Sequence, residues 1–154
     1  MIEARTLPQI VDMDGDEVRD LLTRINFGHL GVCNENRPYV IPIHFAYGQP
    51  QIYFYTTEGM KTEMIDANPT VCLQVEDIHS REDWESVMIT GPAMRLHDDA
   101  MDRAMKLIKK VNPKLSPAWS IRWMDDWIRS NVSVVYEISS DIVSGRRATS
   151  APIH

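Results

Sequence analysis

The sequence predicts a mainly β fold, a small antiparallel barrel with flanking helices, and three observations point to it. About six segments alternate apolar and polar residues with the two-residue period of a strand. Short turns join most of these segments, which favours antiparallel neighbours. Helical spacing is confined to a few stretches, with no recurring strand–helix–strand rhythm and no glycine-rich GxGxxG, so a Rossmann fold is not expected. A closed barrel is the best arrangement for such strands, because open edges invite aggregation.

The 154 residues are the size of one domain, and 44% apolar content is enough for a substantial core. A net charge of −6 argues against a nucleic-acid partner, which normally meets a basic face. No apolar run approaches the roughly 18 residues of a membrane span, and the acidic opening MIEARTLPQIVDMDGDE has no apolar signal core. Cys33 and Cys72 lie in apolar runs and read as buried free thiols of a reducing cytosol, with a disulfide as the alternative. The expectation is one cytoplasmic domain over residues 1–154, with 1–13 as an N-terminal arm and 148–154 as a loose C-terminal tail.

Taken in order, Asp14 and Glu17 have the N-cap and capping-box spacing of a helix start. Val18, Leu21, Leu22 and Ile25 then form one apolar stripe, ended by Asn26-Phe27-Gly28. Residues 29–33 are a short strand and 34–37 a turn. Residues 39–47 and 51–56 read as two neighbouring strands around the Gly48-Gln49-Pro50 break. In the first of these, Tyr39, Ile41, Ile43, Phe45 and Tyr47 share one face, and Val40, Pro42, His44 and Ala46 the other. Pro42 cannot donate to a ladder, so it marks an edge strand or a bulge.

A short helix over 61–67 is stopped by Asn68-Pro69, and strands follow over 70–76 and 84–96 around a charged loop. Residues 98–111 read as an amphipathic helix with Met101, Ala104, Met105, Ile108 and Val111 on one face. Trp119, Trp123 and Trp127, at i, i+4, i+8, share a helical face; packing on the barrel or on a second subunit stands beside stacking on a cofactor. The last strand is 132–138, followed by Arg146-Arg147 and a polar tail.

The candidate chemistry is sparse. Thr56, Thr57 and Lys61 set hydroxyls and an ammonium beside a helix N-terminus, which suits a phosphate, although a solvated lysine is the plainer alternative. The five histidines are scattered without i, i+4 spacing, which disfavours a zinc site. His44 shares a strand face with Pro42, either touching a ligand or partly buried and hydrogen-bonded. There is no GxSxG elbow, and neither cysteine has a histidine or carboxylate companion by sequence.

Five blocks together resemble a known family: GHLGV (28–32), RPYVIPIHFAY (37–47), IYFYTTEGMK (52–61), DANPTVCLQVE (66–76) and WESVMITGPAMRL (84–96). A strand ending in YTT, then G-x-K, then a helix closing in ANP before a strand, is the most specific part. The chain is similar to the FMN-binding split-barrel proteins related to pyridoxamine 5′-phosphate oxidase, particularly the branch that includes nitroimidazole-resistance proteins.

The resemblance implies a six-stranded antiparallel split β-barrel working as a homodimer, with FMN in grooves at the subunit interface. Tyr39, Pro42, Ile43 and His44 would lie along the flavin ring and offer it backbone groups, with His44 the candidate group near the reacting ring. Tyr55, Thr56 and Thr57 would stand at the ribityl–phosphate end, Met60 and Lys61 at the phosphate, and Ser86 near the flavin. Arg146 would reach across from the partner subunit. The implied activity is an oxidoreductase reducing a small organic acceptor, of which nitroaromatics are one class; the alternative is a flavin- or heme-binding sensor without turnover. Some relatives hold heme or a deazaflavin, so both remain alternatives to FMN. The chain departs from the oxidase itself at Tyr39 and Met60, where the oxidase has basic residues, and at RRATSAPIH, which lacks its substrate-binding arginine–histidine pattern. These departures weigh against vitamin B6 oxidation as the expected activity.

Overall fold

The computed structural model describes residues 6–113 and 133–152. The region 114–132, which carries Trp119, Trp123 and Trp127, lies outside the described residues. In chain order the strands are β1 (Thr6–Asp12), β2 (Phe27–Asn34), β3 (Arg37–His44), β4 (Ala46–Tyr47), β5 (Ile52–Thr57), β6 (Thr70–Ser80), β7 (Asp83–Arg95), β8 (Ser133–Ile138) and β9 (Ile142–Pro152). The helices are α1 (Gly15–Arg24), α2 (Met60–Ala67) and α3 (Asp98–Val111).

All strand pairs are antiparallel, in the order β3-β2-β6-β7-β8-β5-β4, with β9 joining β7 to β1. The path ends at β3 and β4 without hydrogen-bonded closure, so the barrel is split. The long strand β7 belongs to both halves. Its first ten residues pair with β6, Trp84 to Thr90 also pair with β9, and Ala93 to Arg95 pair with β8.

The mainly β split barrel stands, but six strands become nine among the described residues. The segment expected as one strand over 39–47 breaks at Phe45, whose N–H donates to the Asn26 carbonyl at 3.0 Å. Before the break β3 pairs with β2; after it, only Ala46 and Tyr47 pair with β5. The expected neighbouring pair is thus confined to two residues, and the two parts lie in different halves of the barrel. The expected arm and tail are corrected too: Thr6 to Asp12 pair in register with Arg146 to Pro152. Each supplies the other's hydrogen bonds, a partnership that neither segment shows alone.

Local chemistry accounts for the connections. Glu35 and Asn36 both take positive φ, 51° and 62°, the geometry of a two-residue type I′ hairpin between β2 and β3. Asp14 caps α1: its carboxylate accepts from the Glu17 N–H at 2.8 Å, while Glu17 accepts from the Asp14 N–H at 3.4 Å. Pro42 falls on the terminal strand β3, so its edge reading holds.

Leu21 and Leu22 of α1 enter the main core with Leu30, Leu73, Val87 and Ile89 from the sheet. In the same core Phe54 and Tyr136 stack with ring centroids 5.2 Å apart. On the other side of β5 and β8, Ala104 and Ile108 of α3 close a second cluster with Ala46 and Val135. Val111, expected on that stripe, is exposed, and the buried Asn112 instead donates to the Phe45 carbonyl at 3.2 Å. Cys33 is exposed rather than buried, and Cys72 is half-buried; both are free thiols. Among the described residues no helix is long and apolar enough to cross a membrane.

Candidate functional site

The turn from β5 into α2 is built by residues between Glu58 and Asp66. Thr62 is fully buried; its hydroxyl accepts from the Gly59 N–H at 2.9 Å and lies 2.9 Å from a Glu58 carboxylate oxygen. Ile65, also buried, pins the helix to the core. These contacts leave Met60 exposed and Lys61 half-buried at the N-terminal end of α2, where backbone N–H groups lack helical partners. A Cβ built at Gly59 would meet nothing within 4 Å, so the turn has open space beside it.

Burial draws the Lys61 ammonium below the ordinary lysine pKa, because desolvation disfavours charge. No carboxylate forms an ion pair with it among the described residues. Glu58, three residues earlier, is held instead by Arg95. That guanidinium holds the Glu58 carboxyl below its usual range, with desolvation opposing and the Thr62 hydroxyl assisting.

Along β5 the strand alternation separates the other candidates of this end. Thr56 is buried on the inner face. Tyr55 packs against the α3 cluster, where burial pushes its phenol pKa up, and Thr57 shares that face of the strand.

The second group lies on sheet strands. On β3, Ile41 and Ile43 face the core, while Val40, Pro42 and His44 face outward; Tyr39, at 40% exposure, is at the start of the strand. β3 has only β2 as a neighbour, so one edge of its backbone has no strand partner among the described residues. His44 meets Phe27 edge-on with centroids 5.2 Å apart, and Phe27 meets His29 at 5.7 Å. Ser86 and Arg146 are direct cross-strand partners on that same outer face, on β7 and β9, and the Ser86 oxygen accepts from the Gln74 amide at 3.1 Å.

The sequence-predicted residues thus fall into two groups. Thr56, Thr57, Met60 and Lys61 gather around the α2 turn, with Tyr55 directed towards α3. His44, Pro42, Ser86 and Arg146 share the outer sheet face, and Ile43 can offer such a face only its backbone. α2 links the barrel halves, leading from β5 to β6, and the Asn68 amide at its C-cap donates to the Cys33 carbonyl at 2.8 Å.

Sequence reasoning missed Arg95. Its partners Glu58 and Asp66 lie 37 and 29 residues away, so no local pattern marks it. Tyr136, which donates to Asp66 at 3.2 Å, was legible only as an apolar strand position. Burial pushes its phenol pKa up to about 12.

A family model described as pyridoxamine 5′-phosphate oxidase matches residues 14–147. The crystal structure of an FAD-binding protein from Mesorhizobium loti has a TM-score of 0.73 to this chain at 26% identity, covering 91% of this chain and 99% of that one. A candidate 5-nitroimidazole antibiotic resistance protein from Bacteroides thetaiotaomicron has a TM-score of 0.72 at 19% identity, covering 100% and 97%. An FAD-binding protein from Mycobacterium smegmatis has a TM-score of 0.66 at 23% identity, covering 89% and 97%. The last two likenesses concern the fold alone. An uncharacterized protein of Rhizobium meliloti is 29% identical over 79 residues, 51% of this chain and 52% of the relative, so the chain spans about half the length of the curated relative it matches. With the family model matched from the capping residue of α1 to the middle of β9, the chain belongs to the pyridoxamine 5′-phosphate oxidase family.

Proposed function

We propose that this protein binds FMN and is a cytoplasmic oxidoreductase that reduces a small organic acceptor, working as a homodimer with the flavin at the subunit interface. The observation that carries the flavin reading is Lys61: a half-buried ammonium without an ion-pair partner among the described residues, beside open space at a helix N-terminus. A dianionic phosphate suits that turn and would restore the charge stabilisation that burial removes. Of the donors present, Lys61 and the turn N–H groups fit a phosphate, and the edge of β3 without a strand partner among the described residues fits the ring. Thr57, on the half-buried face of β5, would meet the ribityl end, while the Thr56 hydroxyl is buried on the inner face. A relative 26% identical to this chain is described as FAD-binding, which supports a flavin and makes FAD the competing form.

When bound, a flavin supplies electron transfer through its ring. This chain's own residues would bind, orient and shield. Lys61 would fix the phosphate, the β3 edge would hydrogen-bond the ring, and Pro42 and Phe27 would exclude water beside it. His44 would hold a proton at the ring edge, with Ser86 and the partner's Arg146 completing the groove.

Titration with FMN, FAD and riboflavin, followed by absorbance and fluorescence, tests this. FMN is expected to bind, and Lys61→Ala to weaken FMN by about 10-fold or more while riboflavin changes little, since a charge-assisted hydrogen bond contributes about 1.5–3 kcal/mol. Equal weakening of both ligands would remove Lys61 from the phosphate, and no flavin binding would remove the proposal. A second reading, a flavin or heme holder without turnover, draws on the imidazoles of His29 and His44 on the outer face. Reoxidation of the reduced protein by a nitroaromatic no faster than by air would favour it.

A further inference from the structure

We infer that Arg95 is a positioning residue for the anion-binding turn: it clamps both ends of α2 and keeps Glu58 away from Lys61, given that this turn takes a flavin's phosphate as proposed above. Arg95 ends β7, the strand shared by the two barrel halves. Its guanidinium reaches Glu58 through Nη1 and, at 3.1 Å, through Nη2. It also reaches Asp66 through Nε at 3.1 Å and Nη2 at 2.6 Å. Glu58 precedes the first turn of α2 and Asp66 lies in its last, so one planar fork spans the helix.

The clamp rests on the core. The Asp66 carboxylate also accepts from the Tyr136 hydroxyl, the guanidinium stands 5.7 Å over the Tyr136 ring, and that fully buried ring stacks on Phe54. The Arg95 side chain is only 28% exposed.

The electrostatic consequence concerns Lys61. Glu58 stands in the bend just before α2, three residues from Lys61, so a carboxylate freed from Arg95 has only the Gly59 turn between it and the ammonium. A carboxylate released there would neutralise the ammonium and repel an incoming phosphate. Arg95 prevents this by binding Glu58 on both oxygens, while the Thr62 hydroxyl occupies the rest of that carboxylate. The turn keeps a cation that no ion pair engages among the described residues, with the exposed Glu63 the remaining acid of the first turn of α2. A residue serving only to brace the helix would have no such dependence on the charge of Glu58.

The test is the affinity ratio of FMN to riboflavin in four purified full-length variants: Lys61→Ala, Arg95→Ala, Glu58→Gln, and Arg95→Ala combined with Glu58→Gln. Arg95→Ala is expected to lower the ratio about 10-fold, close to the Lys61→Ala value, through loss of one charge-assisted contact. Adding Glu58→Gln to Arg95→Ala is expected to restore most of the ratio, because the competing carboxylate is gone. Were Arg95→Ala to fail to fold, Arg95→Lys carries the same comparison, since a point charge cannot hold both carboxylates in a fork. A ratio unchanged by either Arg95 variant while Lys61→Ala lowers it would overturn the inference and leave the phosphate reading intact. A lowered ratio that Glu58→Gln does not restore would also overturn it, in favour of plain bracing. If Lys61→Ala leaves the ratio unchanged, the turn is not the phosphate site and both proposals fall.

Discussion

A Cβ built on Gly91 would lie 1.8 Å from the Ser139 carbonyl oxygen and 2.9 Å from its carbonyl carbon, well inside van der Waals contact. The approach is close because the chain turns from β8 to β9 over this point of β7, and the Ser139 N–H donates to the Pro92 carbonyl at 3.1 Å. No side chain fits between two backbones at that separation. Gly91→Ala is therefore expected to destabilise by about 1–3 kcal/mol or more, as overpacking of a tight interior does. Denaturant unfolding measures it; a midpoint within error of the wild type would show that the β8–β9 turn yields freely. Gly28 meets a milder version of this constraint, its added Cβ lying 2.6 Å from the Gln74 carbonyl oxygen.

At the scale of elements, α2 depends more on what holds it than on its own sequence. Eight residues are too few for a stable isolated helix, so burial of Ile65 and Thr62 and the Arg95 clamp must keep it in place. The Glu58 carboxyl, held below its usual range chiefly by Arg95, links that clamp to pH. A depressed native value means a contribution present at neutral pH, above the unfolded-state value, and lost as pH falls through the native one. The thermal midpoint of wild type should therefore exceed that of Glu58→Gln near neutrality, and the gap should close on acidification below the ordinary glutamate range. A gap constant from pH 7 to pH 3 would mean that the Glu58 charge contributes nothing to holding α2. Other elements were more independent. The α1 capping box and the extent of α3 were readable directly, since both signals lie within a few neighbouring residues.

For the whole molecule, the outer face of the split sheet leaves three large apolar side chains exposed among its polar ones. Val40 is 64% exposed, Met88 46% and Ile142 66%, and the strand registers set all three on the face that carries His44 and Ser86. Large apolar side chains left exposed on one sheet face suit an interaction surface, and the proposed homodimer would cover them. Met88→Glu is expected to shift the protein from dimer to monomer in sedimentation velocity and to weaken flavin binding with it. A wild-type monomer that binds flavin fully would remove the interface from the proposal.

What the sequence determined by itself was everything encoded over short spans: the mainly β class, the helix starts, the edge character of Pro42, and the YTT-to-ANP run that marked the α2 turn with Lys61. Tertiary structure alone decided which strands pair. A strand's alternation shows that it has a buried face but not whose hydrogen bonds it meets, so Thr6 to Asp12 became a strand only by finding Arg146 to Pro152, whose first residues also pair with β7. For the same reason the run through Phe45 divided between two barrel halves. Arg95 could be recognised only once folding brought Glu58 and Asp66 to it from 37 and 29 residues away, because a charge network depends on distance in space and leaves no period in the chain.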